Sequence, residues 1–510
     1  MGKGKQLSIN LVTQIVSFGL NLAISFLLTP FVIENIGKDV YGFVSLANNF
    51  TSYVSVFTIA LNGILSRYVT IAFSRKDYKS ASRYLSSVLV ANCAIMIVLI
   101  PVSVIFVANL GGFINLSVGF EPDIKVLFLL TFISFVLNLP GCCFNTATYA
   151  TNRLDKSNIC NMLGSIIRIS VILILLYALT PHVWYVGFGG LLSTIFMIVL
   201  NMHFKKKLMP QVKVSLKFFD WSVVKELLSV GIWNSINQLT QLLMTGLDLI
   251  IANLFIGVMS MNLLSYAKMI PAQLLTLIST VAGLFAPIMT VAFATNNMKK
   301  FISETNFAIK LCGFLCSVPI IGLVVFGKDF FGLWLSALSP EEVNIVSILS
   351  ILTILPQFFS VYIYPLYSVN TITTKLRVPV IVSFVMGLLN VAVVFILVKT
   401  TNLGVYAVAG TSTVFSIVRI LFFAPMYAAH SIKSPYRTFY KPLGRGILSS
   451  VIMIAVFIVI KKVLVISDWT SFFITCAVAG IAGYLISFVL VFSKEEKQKV
   501  IETVKNKLRR

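Results

Sequence analysis

The sequence predicts an all-α integral membrane protein of fourteen transmembrane helices. Two six-helix lobes in the same orientation are followed by two extra C-terminal helices. Three observations predict this. Fourteen apolar stretches are each long enough to cross a hydrocarbon core of ~30 Å, which takes ~20 residues. Basic residues concentrate on alternate loops, and a weak internal repeat recurs at an offset of 220 residues. Mean hydropathy is +0.95. Charged residues make up 11% of the 510, against roughly 25% in a soluble domain. Backbone facing lipid must satisfy its own hydrogen bonds, so the stretches are read as helices. A barrel would instead show alternating segments of ~10 residues.

The spans are expected at 8–30, 42–65, 84–109, 124–150, 163–180, 185–204, 227–250, 263–293, 306–326, 343–369, 378–398, 404–428, 447–466 and 471–492. The loops between them carry the signal for sidedness. Lys3 and Lys5 precede span one. The second loop holds Arg67, Arg75, Lys76, Lys79 and Arg83, and the fourth Arg153 and Lys156. The sixth holds Lys205, Lys206, Lys207, Lys213, Lys217 and Lys225. Lys299 and Lys300 lie in the eighth, Lys375 and Arg377 in the tenth, and Lys433, Arg437, Lys441 and Arg445 in the twelfth. With the tail, these account for 30 of the 40 Lys and Arg residues. The odd loops hold Lys38, Lys125, Lys328, Lys399, Lys461 and Lys462. This bias places the even loops and both termini in the cytoplasm of a multi-pass plasma-membrane protein.

The net charge of +23 is thereby explained by topology rather than by nucleic-acid binding. The same clusters suit anionic membrane lipids, which attract each basic residue by about 1 kcal/mol. The first apolar stretch is too long for a signal-peptide core and lacks a small-residue cleavage site, so it is expected to remain as span one. Cys93, Cys142, Cys143, Cys160, Cys312, Cys316 and Cys476 lie in or beside spans without metal-ligand spacing, and no structural disulfide or cofactor is expected. The tail from Ser493 places Val500, Ile501, Val504 and Leu508 on one helical face, which suits a basic amphipathic helix on the inner surface.

The repeat aligns Ile36–Ala47 with Ile256–Ala267, matching Ile, Gly, Ser and Ala, with Gly63 opposite Gly283 downstream. It pairs span one with seven and span two with eight. An even number of spans separates them, so the halves share an orientation. The organisation expected is an N-terminal lobe 1–204, a basic connector 205–226, a C-terminal lobe 227–428, helices thirteen and fourteen over 429–492, and a tail 493–510.

No outer loop is large. His182, His203 and His430 are scattered, and no P-loop, HExxH or GxSxG motif is present. The sequence therefore predicts no enzyme.

The run Leu247–Gly257 (LDLIIANLFIG) followed by Leu264–Ala267 (LSYA) resembles the junction of spans seven and eight in polysaccharide exporters. Ile36-Gly37 through Tyr41-Gly42 and the segment Tyr149–Lys156 (YATNRLDK) carry the same likeness. With length and the 6+6+2 layout, the chain resembles the Wzx-type flippases of lipid-linked oligosaccharides. These belong to the superfamily that includes lipid II flippases and MATE drug exporters. The resemblance implies alternating access by two lobes, with spans one, two, seven and eight lining a cavity. The implied substrate is an undecaprenyl-pyrophosphate-linked oligosaccharide for surface polysaccharide such as O-antigen or capsule. A coupling ion, proton or sodium, and polysaccharide polymerase machinery are the implied partners. The alternatives are a lipid II flippase, a small-molecule antiporter, or a membrane-embedded enzyme of the same pathway. The fourteen spans depart from drug exporters. The lack of arginines clustered in spans one and two departs from lipid II flippases.

Charges inside spans cost about 2.5–3.5 kcal/mol on insertion scales and usually face a partner or water. Arg168, Lys268, Lys310 and Arg419 are four cations against one acid, Asp248. The excess suits an anionic headgroup, to which Arg offers bidentate hydrogen bonds. Arg168 and Lys310 are also placed near span ends, where they could snorkel to the surface. Asp248, able to pair with Lys268, is the candidate gate or relay. A second candidate lining is polar. Asn234, Asn237, Gln238 and Gln241 recur at three-to-four spacing on span seven, and Gln14 and Asn21 on span one meet Asn234 and Gln241 at the repeat offset. Pro271 and Pro287 predict a bend in the long span eight.

Overall fold

The computed structural model describes residues 3–493 and 496–498. All regular elements among them are helical. They are α1 (Lys3–Ile36), α2 (Lys38–Ser74), α3 (Tyr78–Ala108), α4 (Glu121–Ala150), α5 (Leu154–Ala178), α6 (Trp184–Leu208), α7 (Trp221–Gln241) and α8 (Asp248–Phe255). There follow α9 (Val258–Gly283), α10 (Ala286–Ala294), α11 (Met298–Trp334), α12 (Pro340–Ile372), α13 (Arg377–Thr400), α14 (Val405–Val418), α15 (Ala424–Ser431), α16 (Tyr440–Val463) and α17 (Trp469–Val491). Among the described residues, 13 candidate spans meet the length and hydropathy needed to cross a membrane, and the bent α7–α8 pair makes up to 14. The chain is a multi-pass membrane protein. Contacts divide it into two compact units, Met1–Asn262 and Leu263–Arg510.

Three expected spans are interrupted. Span seven turns through a π-helix at Leu242–Gly246 and bends by 43° into α8. Span eight breaks at Leu284 and Phe285. The break precedes Pro287, which has no N–H to offer the Gly283 carbonyl of a continuous helix; Pro271 stays inside α9. Span twelve passes through a second π-helix at Arg419–Phe423. Span five is longer than expected, because α5 begins at Leu154. The tail face of Val500, Ile501, Val504 and Leu508 lies outside the described residues.

The repeat is visible in local geometry. Gly37 and Gly257, 220 residues apart, both have positive φ, 107° and 137°. Each follows a helix, and such backbone favours glycine. Ser74 and Ala294 end helices at the same offset, and Tyr78 and Met298 begin the next ones. The turns match as well. Lys76 and Asn296 are left-handed, at φ 61° and 54°. Asp77 then accepts the Ser80 N–H at 2.9 Å and Asn297 the Lys300 N–H at 3.0 Å. These N-caps satisfy amides that a helix start leaves open. Asn152, Thr374 and Lys433 are left-handed in the same way. In each of the five turns the next amide reaches back to close the helix, as Arg153 does on Thr148 O at 2.7 Å.

Candidate functional site

In the first unit, α7 packs along α2 through small residues. A Cβ on Gly231 would stand 1.8 Å from the Ala60 carbonyl oxygen. Ser235 Oγ donates to Val56 O at 2.6 Å. Gly63 leaves room for Asn234, whose Nδ2 would lie 3.0 Å from an added Cβ. Beside this packed face, Asn234, Asn237 and Gln241 are exposed and Gln238 is half-buried. A lipid-facing amide would forfeit hydrogen bonds at a cost of a few kcal/mol, so the stripe suits a wet surface. On α1, Gln14 is exposed. Asn21 is otherwise engaged: Nδ2 donates to Ser17 O at 2.8 Å and Oδ1 accepts from Ser165 Oγ at 2.5 Å. It fastens α1 to α5.

At the far end of α7 the π-helix leaves the Gly246 carbonyl to side chains of α2. Tyr53 donates to it at 2.7 Å and Asn49 approaches at 3.5 Å. Buried Asp248 stands in the first turn of α8, where the helix dipole favours a carboxylate.

Arg168 lies about 21 Å along α5 from Leu154, at ~1.5 Å per residue. It therefore sits in the middle of its helix rather than near an end. Its Nε is buried without a hydrogen-bond partner among the described residues.

In the second unit, Arg419 opens the π-helix of span twelve, and such bulges gather at functional sites. Its guanidinium carbon lies 5.9 Å from the centre of the Tyr367 ring, within cation–π range. Tyr364 and Tyr367 lie edge to face with centroids 5.4 Å apart. Arg419 Nε, Tyr367 Oη and Asn370 Oδ1 are buried without partners among the described residues. Lys268 is half-buried on α9, one turn before Pro271, whose carbonyl accepts from Gln357 Nε2 at 2.8 Å.

Lys310 has a different place. Its ammonium meets both carboxylate oxygens of Glu496 at 2.8 and 2.9 Å. Burial pushes the Glu496 carboxyl up, but the bonds from Lys310 and from Ser493 outweigh it and hold it below the ordinary value. Phe307 and Phe314 pack on Phe492 beside the pair. Lys310 thus fastens the exit of α17 to α11.

Three clusters escaped the sequence reading. Asp155, buried at the start of α5, binds Arg153 at 2.9 and 3.0 Å and Gln6 at 2.9 Å. Its N–H donates to Asn10 Oδ1 at 3.0 Å, and Asn10 Nδ2 reaches Asn152 O at 3.1 Å. The YATNRLDK segment therefore locks the start of α1. Asn253, within LDLIIANLFIG, exchanges three hydrogen bonds of 2.8 to 3.0 Å with Asn115. Asn262 Nδ2 donates to Asp39 O at 2.7 Å, over Gly42. Polar residues inside apolar runs were the available signal; their distant partners were not.

No family model matches the chain. It is 27% identical, over 97% of both chains, to EpsK, an uncharacterized membrane protein of Bacillus subtilis strain 168. An inward-facing multidrug resistance MATE family transporter of the MOP superfamily superposes with a TM-score of 0.68 at 15% identity, covering 84% of this chain and 98% of that one. The lipid II flippase MurJ, in an inward closed conformation, gives 0.65 at 18% identity, covering 94% and 97%. The chain has the MATE and MurJ fold. That fold is the one the resemblance implied, and its helices are those the span count predicted. It extends to MurJ over more of the chain than to the multidrug transporter.

Proposed function

We propose that this protein is a flippase. It moves undecaprenyl-pyrophosphate-linked oligosaccharide units across the plasma membrane by alternating access of the repeat halves, 1–204 and 227–428, with both termini cytoplasmic. The observation that carries the reading is a pair of arginines inside spans, Arg168 and Arg419, each with a buried Nε donor that has no partner among the described residues. A guanidinium keeps its charge at any physiological pH. Held in a span with no carboxylate bound to it among the described residues, it calls for a transient anion, and a pyrophosphate offers bidentate acceptors. The Tyr364–Tyr367 pair beside Arg419 adds ring faces and hydroxyls suited to sugar. Exposed Asn234, Asn237 and Gln241 supply further sugar contacts, with half-buried Gln238 on the same helix and exposed Gln14 on α1; Asn21 fastens α1 to α5 instead. Lys268 is a further cation for the headgroup. Asp248 serves as gate or relay, with a proton or sodium as coupling ion. Lys310 belongs to the helix-fastening pair rather than to this set.

The likeness to the lipid II flippase over 94% of the chain supports a lipid-linked substrate over a free drug. Surface polysaccharide assembly, with a polymerase downstream, is the setting this substrate implies.

Binding tests it. Purified protein in nanodiscs should retain a polyprenyl-pyrophosphate-linked oligosaccharide and lose affinity about tenfold or more for the matching neutral polyprenyl glycan. That follows from charge-assisted hydrogen bonds worth roughly 1.5–3 kcal/mol. Equal affinity for both would remove the anion-binding role.

A further inference from the structure

The chain between α6 and α7 has two faces. Inward, Met209 and Val212 are fully packed among Ala81, Leu85 and Val88 of α3 and Val223, Val224 and Leu227 of α7. Lys205 is buried too, and its Nζ donates to Val212 O at 2.5 Å, closing the turn. The N–H groups of Lys213, Ser215 and Asp220 donate to the hydroxyls of Ser82, Ser86 and Ser87 at 2.9, 3.2 and 2.9 Å. These serines lie on one side of α3 and hold extended backbone as a sheet edge would. Arg83 pairs with Asp220, which also caps α7 by accepting the Ser222 N–H at 2.7 Å. The segment is a fixed strap, tied to α3 and α7 at five points.

Outward, the strap presents large apolar side chains. Leu216 is 77% exposed, Trp221 54%, Phe219 40% and Val214 38%. Between and beside them Lys206, Lys207, Lys213 and Lys217 are also exposed. The nearby acid Asp220 is already spent on Arg83. A soluble surface would not carry Leu216 and Trp221 so open beside four lysines without something to cover them.

We infer that this strap is a binding surface for the anionic lipid headgroups of the leaflet it faces. It joins the last turn of one span to the first turn of the next, so chain continuity holds it at the membrane surface. There the lysines meet phosphates, while Leu216, Phe219 and Trp221 enter the boundary of the acyl chains. The surface potential attracts each lysine, and the rigid backbone means that little order has to be created on contact. Lipid bound here steadies the start of α7 through Asp220 and Arg83. The inference goes beyond the transport reading and stands whatever headgroup the protein moves.

The test uses the full-length chain in nanodiscs of phosphatidylcholine alone or mixed with phosphatidylglycerol. Phosphatidylglycerol should raise the unfolding midpoint of the wild type. Most of that gain should be lost when Lys206, Lys207, Lys213 and Lys217 are changed to Gln. It should be kept when Lys433, Arg437, Lys441 and Arg445, equally exposed, are changed instead. Independently, brominated acyl chains should quench a component of the tryptophan emission that Trp221→Phe removes. An equal phosphatidylglycerol gain in the strap variant and the wild type would overturn the proposal. So would Trp221 emission untouched by brominated lipid, which would give the face to a protein partner.

Discussion

Arg419→Glu is expected to abolish transport, and Arg419→Ala to slow it about ten- to a hundredfold. The alanine figure follows from losing charge-assisted hydrogen bonds of roughly 1.5–3 kcal/mol. Reversal is worse, because a carboxylate would repel the pyrophosphate where the surroundings screen charge poorly. Arg419→Lys should fall between the wild type and alanine, keeping charge but losing the planar fork and its place over Tyr367. Lys268→Ala should slow transport to a smaller degree, and Lys268→Arg less again. Export rates normalised to protein in the membrane decide the matter. If alanine impairs and glutamate does not, packing around the π-helix rather than charge is the cause. Wild-type rates in both would take Arg419 out of the site.

The second large effect concerns the seam between α2 and α7. Gly231→Ala should lower stability by about 1–3 kcal/mol, the usual cost of overpacking, and Gly231→Val by more. The added Cβ would meet the Ala60 carbonyl at 1.8 Å, and its carbon at 2.6 Å. Backbone cannot swing aside as a side-chain tip can, so the helices would have to part and strain the Ser235–Val56 bond. Gly190 and Gly410 are the controls, since nothing lies within 4 Å of a Cβ at either. Alanine there should be neutral or stabilising by up to about 1 kcal/mol. Thermal unfolding of detergent-solubilised variants reads the difference. A Gly231→Ala protein as stable as Gly190→Ala would mean that α2 and α7 do not pack this way.

Much of the fold was legible because the bilayer imposes so simple a rule. Apolar length marked the spans, and the alternation of basic loops kept their count in register to the end. The repeat read from Ile36–Ala47 and Ile256–Ala267 reappears as paired glycines at Gly37 and Gly257 and as paired caps at Asp77 and Asn297. Irregularities were less legible. The π-helices at Leu242–Gly246 and Arg419–Phe423 leave no composition signal, since an extra residue in a turn looks like any other apolar residue. The start of α5 was missed because Asp155, Lys156, Asn158 and Asn161 lower its hydropathy while still helical.

Within the candidate site, residue type could mark Arg168 and Arg419 as costly in a span, but not how their neighbours treat them. Lys310 looked alike in sequence, yet its partner Glu496 lies 186 residues away. Asn21 likewise pairs with Ser165 across 144 residues. A polar residue in a span announces that it needs a partner; only the fold says whether that partner is protein.

The central claim is tested most directly by flipping. Purified protein is reconstituted in vesicles that carry a fluorescent polyprenyl-pyrophosphate-linked oligosaccharide in both leaflets, and an impermeant glycosidase or lectin is added outside. Protein-containing vesicles should expose the inner-leaflet pool, leaving almost none protected, while empty vesicles and the Arg419→Glu protein keep about half protected, as two equal leaflets require. An inner pool that stays protected in intact, protein-containing vesicles, under proton and sodium gradients of either direction, would contradict the account.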